Sequence, residues 1–280
     1  MSAPPAKGQL LVALFGDPVA SSLSPAVHTA AFLACGLRWA YIPFRADAAT
    51  LPKLFARLCG EGLAGANFTY PCKTAAAALC EQLSPEAARL RAVNTIRITG
   101  AGVEGFNTDV SGFAAALAET ALDVGGRDAL VLGAGAAARA VGVALEDAGA
   151  AVAFACRDVT AAGPGISPRA TVLRLADAPA FLSERRPAVL VNATPVGLGP
   201  DDAPLFDYGV IPAGTFVWEL NYGRETALLA AARERKLAAA DGLGMLLHQA
   251  ARAFELWTGE KAPAAVMRRA ADDELRRRQL

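Results

Sequence analysis

The sequence predicts an α/β protein of two domains, on three observations. Apolar runs of strand length alternate with Ala-rich stretches of helix length along most of the chain, the pattern of helices covering a mostly parallel sheet. A length of 280 residues exceeds one typical domain. After a Gly-Gly turn at Gly125 and Gly126 the pattern restarts with a strand and a glycine-rich loop, which places the domain change between Asn107 and Gly126.

Taken in order, Leu10 to Phe15, Trp39 to Phe44 and Ala64 to Phe68 read as strands, with helices starting near Pro25, Thr50 and Pro71. The segment from Asn107 reads as a helix. Further strands are expected at Ala129 to Leu132, Ala151 to Ala155, Ala188 to Asn192 and Phe216 to Leu220. A long helical pattern, Leu243 to Trp257, runs into a charged helical tail ending in Arg276, Arg277 and Arg278, whose charges read as a solvated face.

The composition, 54% hydrophobic and 19% charged, is that of a soluble globular protein. Basic and acidic residues balance at 27 each, so no net field draws in nucleic acid or an anionic membrane. The apolar runs are too short to span a bilayer, and the start of the chain lacks the basic-then-apolar order of a signal peptide; a cytoplasmic protein is expected. Five cysteines, an odd number with no C-x-x-C pair, argue against a disulfide framework or zinc ribbon and read as small buried hydrophobes. With only His28 and His248, no metal site is expected, and both histidines read as structural.

The strand Ala129 to Leu132 leads into Gly133-Ala134-Gly135-Ala136-Ala137-Ala138, a G-x-G-x-x-A loop opening a helix. Gly133 permits the tight turn, Gly135 lets the backbone approach a pyrophosphate, and Ala138 allows close helix-to-strand packing. The N–H groups at the helix start serve the phosphates, which makes the loop from Gly133 to Ala137 a candidate cofactor site. A second strand ends at Cys156-Arg157-Asp158, where an acid suits a free ribose 2′-hydroxyl and an arginine a 2′-phosphate. Both are present; NADP is favoured and NAD left open.

In the first part, Ser24 before Pro25 suits a helix cap, and Ser22 adds a second hydroxyl that would make a small carboxylate cradle. Asn67 and Thr69, two apart, face one side of an extended segment, and Lys73 follows at a helix start. Asn94 lies in Ala92-Val-Asn-Thr95 and Asp109 in Asn107-Thr-Asp109. A lysine near a helix start and an aspartate capping a helix are also commonplace, so these two carry no chemistry by themselves.

These blocks resemble, in order, the S-x-S-P, G-x-N-V-T-x-P-x-K, A-V-N-T and N-T-D patterns of the shikimate dehydrogenase family. The likeness continues through Gly133 to Arg139, Asn192-Ala-Thr194-Pro-Val-Gly197 and Asp241-Gly242-Leu-Gly-Met245-Leu-Leu-His-Gln249. The resemblance implies an N-terminal α/β substrate-binding domain, residues 1–109 and 242–280, formed with C-terminal helices that return to it, and a Rossmann-type domain, residues 110–241. It implies a reversible NADP-dependent reduction of 3-dehydroshikimate to shikimate in the shikimate pathway of aromatic amino acid biosynthesis.

By motif, Ser22 and Ser24 would bind the substrate carboxylate, Asn67, Thr69, Asn94 and Gln249 the ring hydroxyls, and Tyr222 would lie near the substrate or simply pack. Thr194, Gly242 and Met245 would join the cofactor site. Lys73 and Asp109 would be the catalytic pair: hydride reaching a ketone leaves negative charge on oxygen, which a nearby cation or acid stabilises and protonates. The implied partners are a small-molecule substrate, with neither nucleic acid nor membrane, in a monomer or homodimer.

The chain departs from the pattern in places. The usual members show Asn-Arg-Thr where this chain has Cys156-Arg157-Asp158, and Ala161 stands where a second arginine is sought. Tyr70 and Cys72 replace the commoner Val and Phe. Asp158 resembles the NAD-using quinate/shikimate branch, whereas the two serines favour shikimate. An NAD-dependent quinate/shikimate or aminoshikimate dehydrogenase, or a non-catalytic ligand sensor on the same fold, therefore stand as alternatives.

Overall fold

The computed structural model describes residues 10–160, 165–199 and 201–279. Ala161 lies outside the described residues. The chain forms two compact units, one of residues up to Thr108 and from Leu247 onward, the other Asp109–Leu246; the breaks fall at 108/109 and 246/247, where the sequence placed them at 109/110 and 241/242.

The first unit runs β1 (Leu10–Gly16), α1 (Ser24–Ala34), β2 (Trp39–Arg45), α2 (Leu51–Gly60), β3 (Leu63–Phe68), α3 (Lys73–Ala76), β4 (Gln82–Leu83), α4 (Pro85–Leu90), β5 (Thr95–Thr99) and β6 (Gly102–Phe106). Its sheet has the order β2-β1-β3-β5-β6-β4. β1 pairs parallel with β2 and β3, whereas β5 is antiparallel to both β3 and β6. Only β5 is reversed, so this sheet is mostly parallel, as the alternating pattern predicted, with one antiparallel strand inserted between β3 and β6. The helix expected from Pro71 is a single turn at Lys73 followed by a 3-10 turn, Ala77–Leu79.

β1 is apolar on both faces because it is central, as buried strands require. Leu11, Ala13 and Phe15 join a core with Leu51, Phe55 and Leu58 of α2, and Phe15 stacks on Phe68 at 5.4 Å and Phe44 at 5.9 Å. After the second unit come α9 (Leu243–Thr258), whose later turns belong to the first unit, and α10 (Ala264–Gln279), which packs on α1. Trp257 of α9 donates its indole N–H to the carbonyl of Ile96 at 2.8 Å. That approach requires Gly65 beneath it, where a Cβ would lie 2.5 Å from the indole nitrogen.

In the second unit α5 (Thr108–Ala118) leads to β7 (Asp128–Leu132), α6 (Ala136–Asp147), β8 (Ala151–Cys156), β9 (Thr171–Arg174), α7 (Ala178–Arg185), β10 (Val189–Asn192), β11 (Phe216–Glu219), α8 (Ala227–Glu234) and β12 (Ala239–Ala240). All pairings are parallel and the order is β12-β11-β10-β7-β8-β9. Counted from β7 this is the doubly wound order 3-2-1-4-5-6, whose switch point, where ligands bind such sheets, lies between β7 and β10. Residues of α7 and α8 cover one face, with Leu182, Leu228 and Ala232 against Leu130, Leu190 and Val217.

The five cysteines are free thiols; Cys72 and Cys156 are buried, but Cys59 is exposed, against the expectation of buried cysteines. Among the described residues, no helix is long and apolar enough to cross a membrane, and no three His, Cys, Asp or Glu side chains group as metal ligands would.

Candidate active site

Two loops of the first unit are tied together where β1 and β3 end. Asp17 N–H donates to the Tyr70 carbonyl at 2.8 Å and Thr69 N–H to Phe15 at 2.9 Å. The loops cross so closely that a Cβ on Gly16 would lie 2.8 Å from the Tyr70 oxygen and collide with the Thr69 methyl. This fixes the start of the serine loop, Gly16 and Asp17, against Thr69 and Tyr70. Ser24 is not the helix cap that Pro25 suggested: Leu23 holds that position and no side chain caps it in the usual way. Instead the Ser22 hydroxyl accepts the Ser24 N–H at 3.2 Å, so the first serine orders the second.

The tail is not merely a solvated face either. Arg278 donates to the carbonyls of Ser21 and Ser22, at 2.5 and 3.0 Å, while pairing with Glu274 at 2.9 Å. A guanidinium thus braces the serine loop from 256 residues away.

Asn67, Asn94 and Gln249 are buried and lie in one polar network. Asn67 donates to the Asn94 carbonyl at 3.1 Å and to the Thr95 hydroxyl at 3.0 Å. Asn94 donates to the Thr108 hydroxyl at 2.9 Å and accepts the Thr108 N–H at 2.8 Å. The Thr108 hydroxyl reaches Gln249 at 3.5 Å. Buried polar groups of this kind hold each other's rotamers, because any member left unpaired costs about 1–3 kcal/mol. The structure therefore joins three of the predicted substrate residues through Thr95 and Thr108, which sequence reasoning missed, although both stood inside the quoted motifs.

Lys73 is half-buried at the start of α3, and its carbonyl accepts the Val93 N–H at 2.9 Å, tying it to the Asn94 segment. Asp109 is buried in the first turn of α5. Tyr222 is half-buried beyond β11.

In the second unit the glycine-rich loop lies at the switch point. Gly133 has φ +105° and a Cβ there would lie 3.2 Å from the Ala193 carbonyl, so both conformation and space call for glycine. Gly135 is the cap of α6, no side chain caps the helix, and the space before Gly135 is open. The N–H groups of this turn, with Ala134, Ala136 and Ala137, therefore suit the phosphates of a dinucleotide. The close helix packing ascribed to Ala138 is needed more at Gly142, where a Cβ would collide with the Phe154 ring.

The Thr194 loop is built on a knot. Asn192 accepts the Thr194 N–H at 3.0 Å and hydroxyl at 2.7 Å, and donates to both oxygens of Glu219 at 3.0 and 2.9 Å. Glu219, fully buried, also accepts from Asn221 N–H and the Thr226 hydroxyl. Burial pushes its carboxyl above the usual range, while the hydrogen bonds from Asn192, Asn221 and Thr226 oppose this. Glu219 went unnoticed in the sequence, where an acid closing the apolar run Phe216-Val-Trp218 was its only signal. Nearby, Gly242 passes so close to the Leu220 carbonyl that no Cβ fits, and Met245 is buried.

At the end of β8, Arg157 is exposed. One oxygen of Asp158 accepts both the Thr160 N–H at 2.9 Å and its hydroxyl at 2.6 Å, so the carboxylate is engaged in its own turn.

Family models match in two stretches: residues 14–96 fit the shikimate dehydrogenase substrate binding domain, and residues 242–271 the shikimate 5′-dehydrogenase C-terminal domain. A curated relative, shikimate dehydrogenase (NADP(+)) of Moorella thermoacetica, is 43% identical over 92% of this chain and 91% of its own. The chain belongs to the shikimate dehydrogenase family. Among solved structures, the shikimate 5-dehydrogenase of Thermus thermophilus in complex with NADP(H) and shikimate has a TM-score of 0.83 at 37% identity, covering 94% of this chain and 99% of that one. The fold of this shikimate dehydrogenase family member is equally close to a quinate dehydrogenase of Corynebacterium glutamicum in complex with NAD, with a TM-score of 0.84 at 30% identity over 94% and 98%.

Proposed function

We propose that this family member catalyses the reversible NADP-dependent reduction of 3-dehydroshikimate to shikimate, in aromatic amino acid biosynthesis in the cytoplasm. The observation that carries the reading is the buried network joining Asn67, Asn94 and Gln249 beside the braced serine loop. It is a rigid set of hydroxyl-binding groups next to a carboxylate cradle, which suits a polyhydroxylated ring acid. Five free thiols suit a reducing compartment.

Ser22 and Ser24 donate to the substrate carboxylate, and Thr69 joins Asn67, Asn94 and Gln249 in holding ring hydroxyls, with Tyr222 close to the ring. Lys73 gives its proton to the alkoxide in reduction and takes it back in oxidation, and its positive charge stabilises the developing oxyanion. Asp109 accepts from a substrate hydroxyl and so fixes the ring relative to Lys73. The dinucleotide supplies and accepts the hydride. Gly133, Ala134, Gly135, Ala136 and Ala137 hold its pyrophosphate at the start of α6, while Thr194, Gly242 and Met245 bound the nicotinamide end.

Arg157 binds the ribose 2′-phosphate, and Asp158, its carboxylate engaged by Thr160, repels that phosphate less than a carboxylate turned towards it. The same residue favours the NAD-linked quinate/shikimate reading only where that carboxylate is released to a ribose diol. The test is oxidation of shikimate with NADP by the purified protein and its Lys73→Ala variant. A loss in kcat of about a thousandfold, with the shikimate KM within a few-fold, supports the assignment. Near-normal kcat with only weakened binding contradicts it.

A further inference from the structure

We propose that Tyr41 is a positioning residue of the substrate site: its phenol O–H takes one lone pair of the Asn67 amide oxygen, so that Asn67, whose two N–H groups are held within the fold, offers the substrate a single aimed acceptor and no donor. The inference rests on the reading above that Asn67 holds a ring hydroxyl.

An asparagine amide has two N–H donors and an oxygen with two lone pairs. The Asn67 nitrogen lies 3.1 Å from the Asn94 carbonyl, which can only accept, so the amide cannot be turned the other way round. Its second N–H goes to the Thr95 hydroxyl at 3.0 Å. Thr95 in turn gives its hydrogen to the Asn94 side-chain oxygen at 3.0 Å, which leaves it an acceptor towards Asn67. Both amide hydrogens are thereby used within the fold. On the other end, the Tyr41 hydroxyl donates to the Asn67 side-chain oxygen at 2.8 Å, leaving one lone pair.

Tyr41 is well placed to hold that bond. It is buried, and burial pushes its phenol far above the ordinary range, with the facing Ser24 hydroxyl opposing weakly, so it remains a donor at any working pH. Its ring stacks on His28 at 4.6 Å and 15° and meets Trp257 at 6.3 Å. His28 is one helical turn beyond Ser24 on α1, so the wall that fixes the phenol is continuous with the helix that starts the carboxylate cradle. One phenol thus lies between a carboxylate-binding serine and a hydroxyl-binding asparagine. The remaining lone pair selects a ring carbon bearing a hydroxyl and disfavours one bearing a ketone or ether, which needs a donor.

The test is Tyr41→Phe, which removes one oxygen and keeps the ring, measured with shikimate and NADP alone and combined with Asn67→Ala, with melting temperature as the check on folding. The shikimate KM is expected to rise on the order of tenfold, with kcat within about twofold and the NADP KM unchanged. In the Asn67→Ala background the same change is expected to add nothing. Thr95→Val, which frees the amide from its other side, is expected to give the same selective rise and serves if Tyr41→Phe does not fold. If Asn67→Ala raises the shikimate KM but Tyr41→Phe leaves it unchanged, or the two effects multiply fully, the positioning role is overturned while the functional reading stands. If Asn67→Ala itself leaves the shikimate KM unchanged, Asn67 is no substrate ligand and both fall.

Discussion

Replacing His28 by leucine isolates the acid sensitivity built into the first unit. His28 is wholly buried, neither ring nitrogen has a hydrogen-bond partner among the described residues, and it is packed against Tyr41, Phe32 and Trp257. Burial lowers its pKa from 6.5 to about 3. The folded protein therefore keeps His28 neutral at a pH where the unfolded chain protonates it. Because the folded pKa is depressed, the stabilisation is complete above 6.5 and is lost as pH falls towards about 3.

Each pH unit in that window removes up to about 1.4 kcal/mol, so at about pH 5 the loss from this one residue is about 2 kcal/mol. Leucine removes two unsatisfied nitrogens at similar volume and sacrifices a ring stack worth about 0.5–1.5 kcal/mol, so near pH 8 the variant is expected to be within about 1 kcal/mol of the parent. Urea unfolding at the two pH values, followed by tryptophan fluorescence since Trp257 lies 5.1 Å from His28, measures the difference. The variant should gain about 2 kcal/mol relative to the parent on going from pH 8 to pH 5. Parallel pH dependences in the two proteins would refute the argument.

Glu219→Gln places an amide N–H₂ against the Asn192 and Thr226 donors and should raise the NADP KM roughly tenfold with little change in the shikimate KM, as read from steady-state kinetics. Arg278→Ala unclasps the Ser21 and Ser22 carbonyls; since the side chain is partly exposed, the shikimate KM should rise only about threefold, with kcat and the NADP KM unmoved.

The central strands were legible because they are buried on both faces and so read as unbroken apolar runs, as at Leu11 to Phe15 and Ala129 to Leu132. The glycine-rich loop was legible because its backbone tolerates nothing else at Gly133. The β5–β6 hairpin was not. Its alternation of Ile96 and Ile98 with Thr95, Arg97 and Thr99 was masked by the asparagine and threonine motifs at either end, and the short edge strands β9 and β12 carry too few residues to show a period.

At the site, the residues expected from motif lie on a strand (Asn67), at helix starts (Ser24, Lys73, Asp109), on a helix (Gln249) and on loops (Ser22, Thr69, Asn94), but the groups that hold them were hidden. Tyr41 reads as an ordinary aromatic in a strand, and Glu219 as a charge at a strand end. Arg278 reads as one of three arginines in a solvated tail. Each acts through a contact made only by the folded chain: Tyr41 on Asn67, Glu219 on Asn192 and Arg278 on the serine loop. Ser24 illustrates the converse, since its local pattern suggested a cap and its neighbour Ser22 supplies the bond instead.

The most direct test of the account is kcat/KM of the purified protein for shikimate and for quinate, each with NADP and with NAD. With Ser22 and Ser24 retained, Arg157 exposed and Asp158 engaged by Thr160, the shikimate and NADP pair should exceed each other combination by at least about tenfold. A higher kcat/KM with NAD, or with quinate, would contradict it.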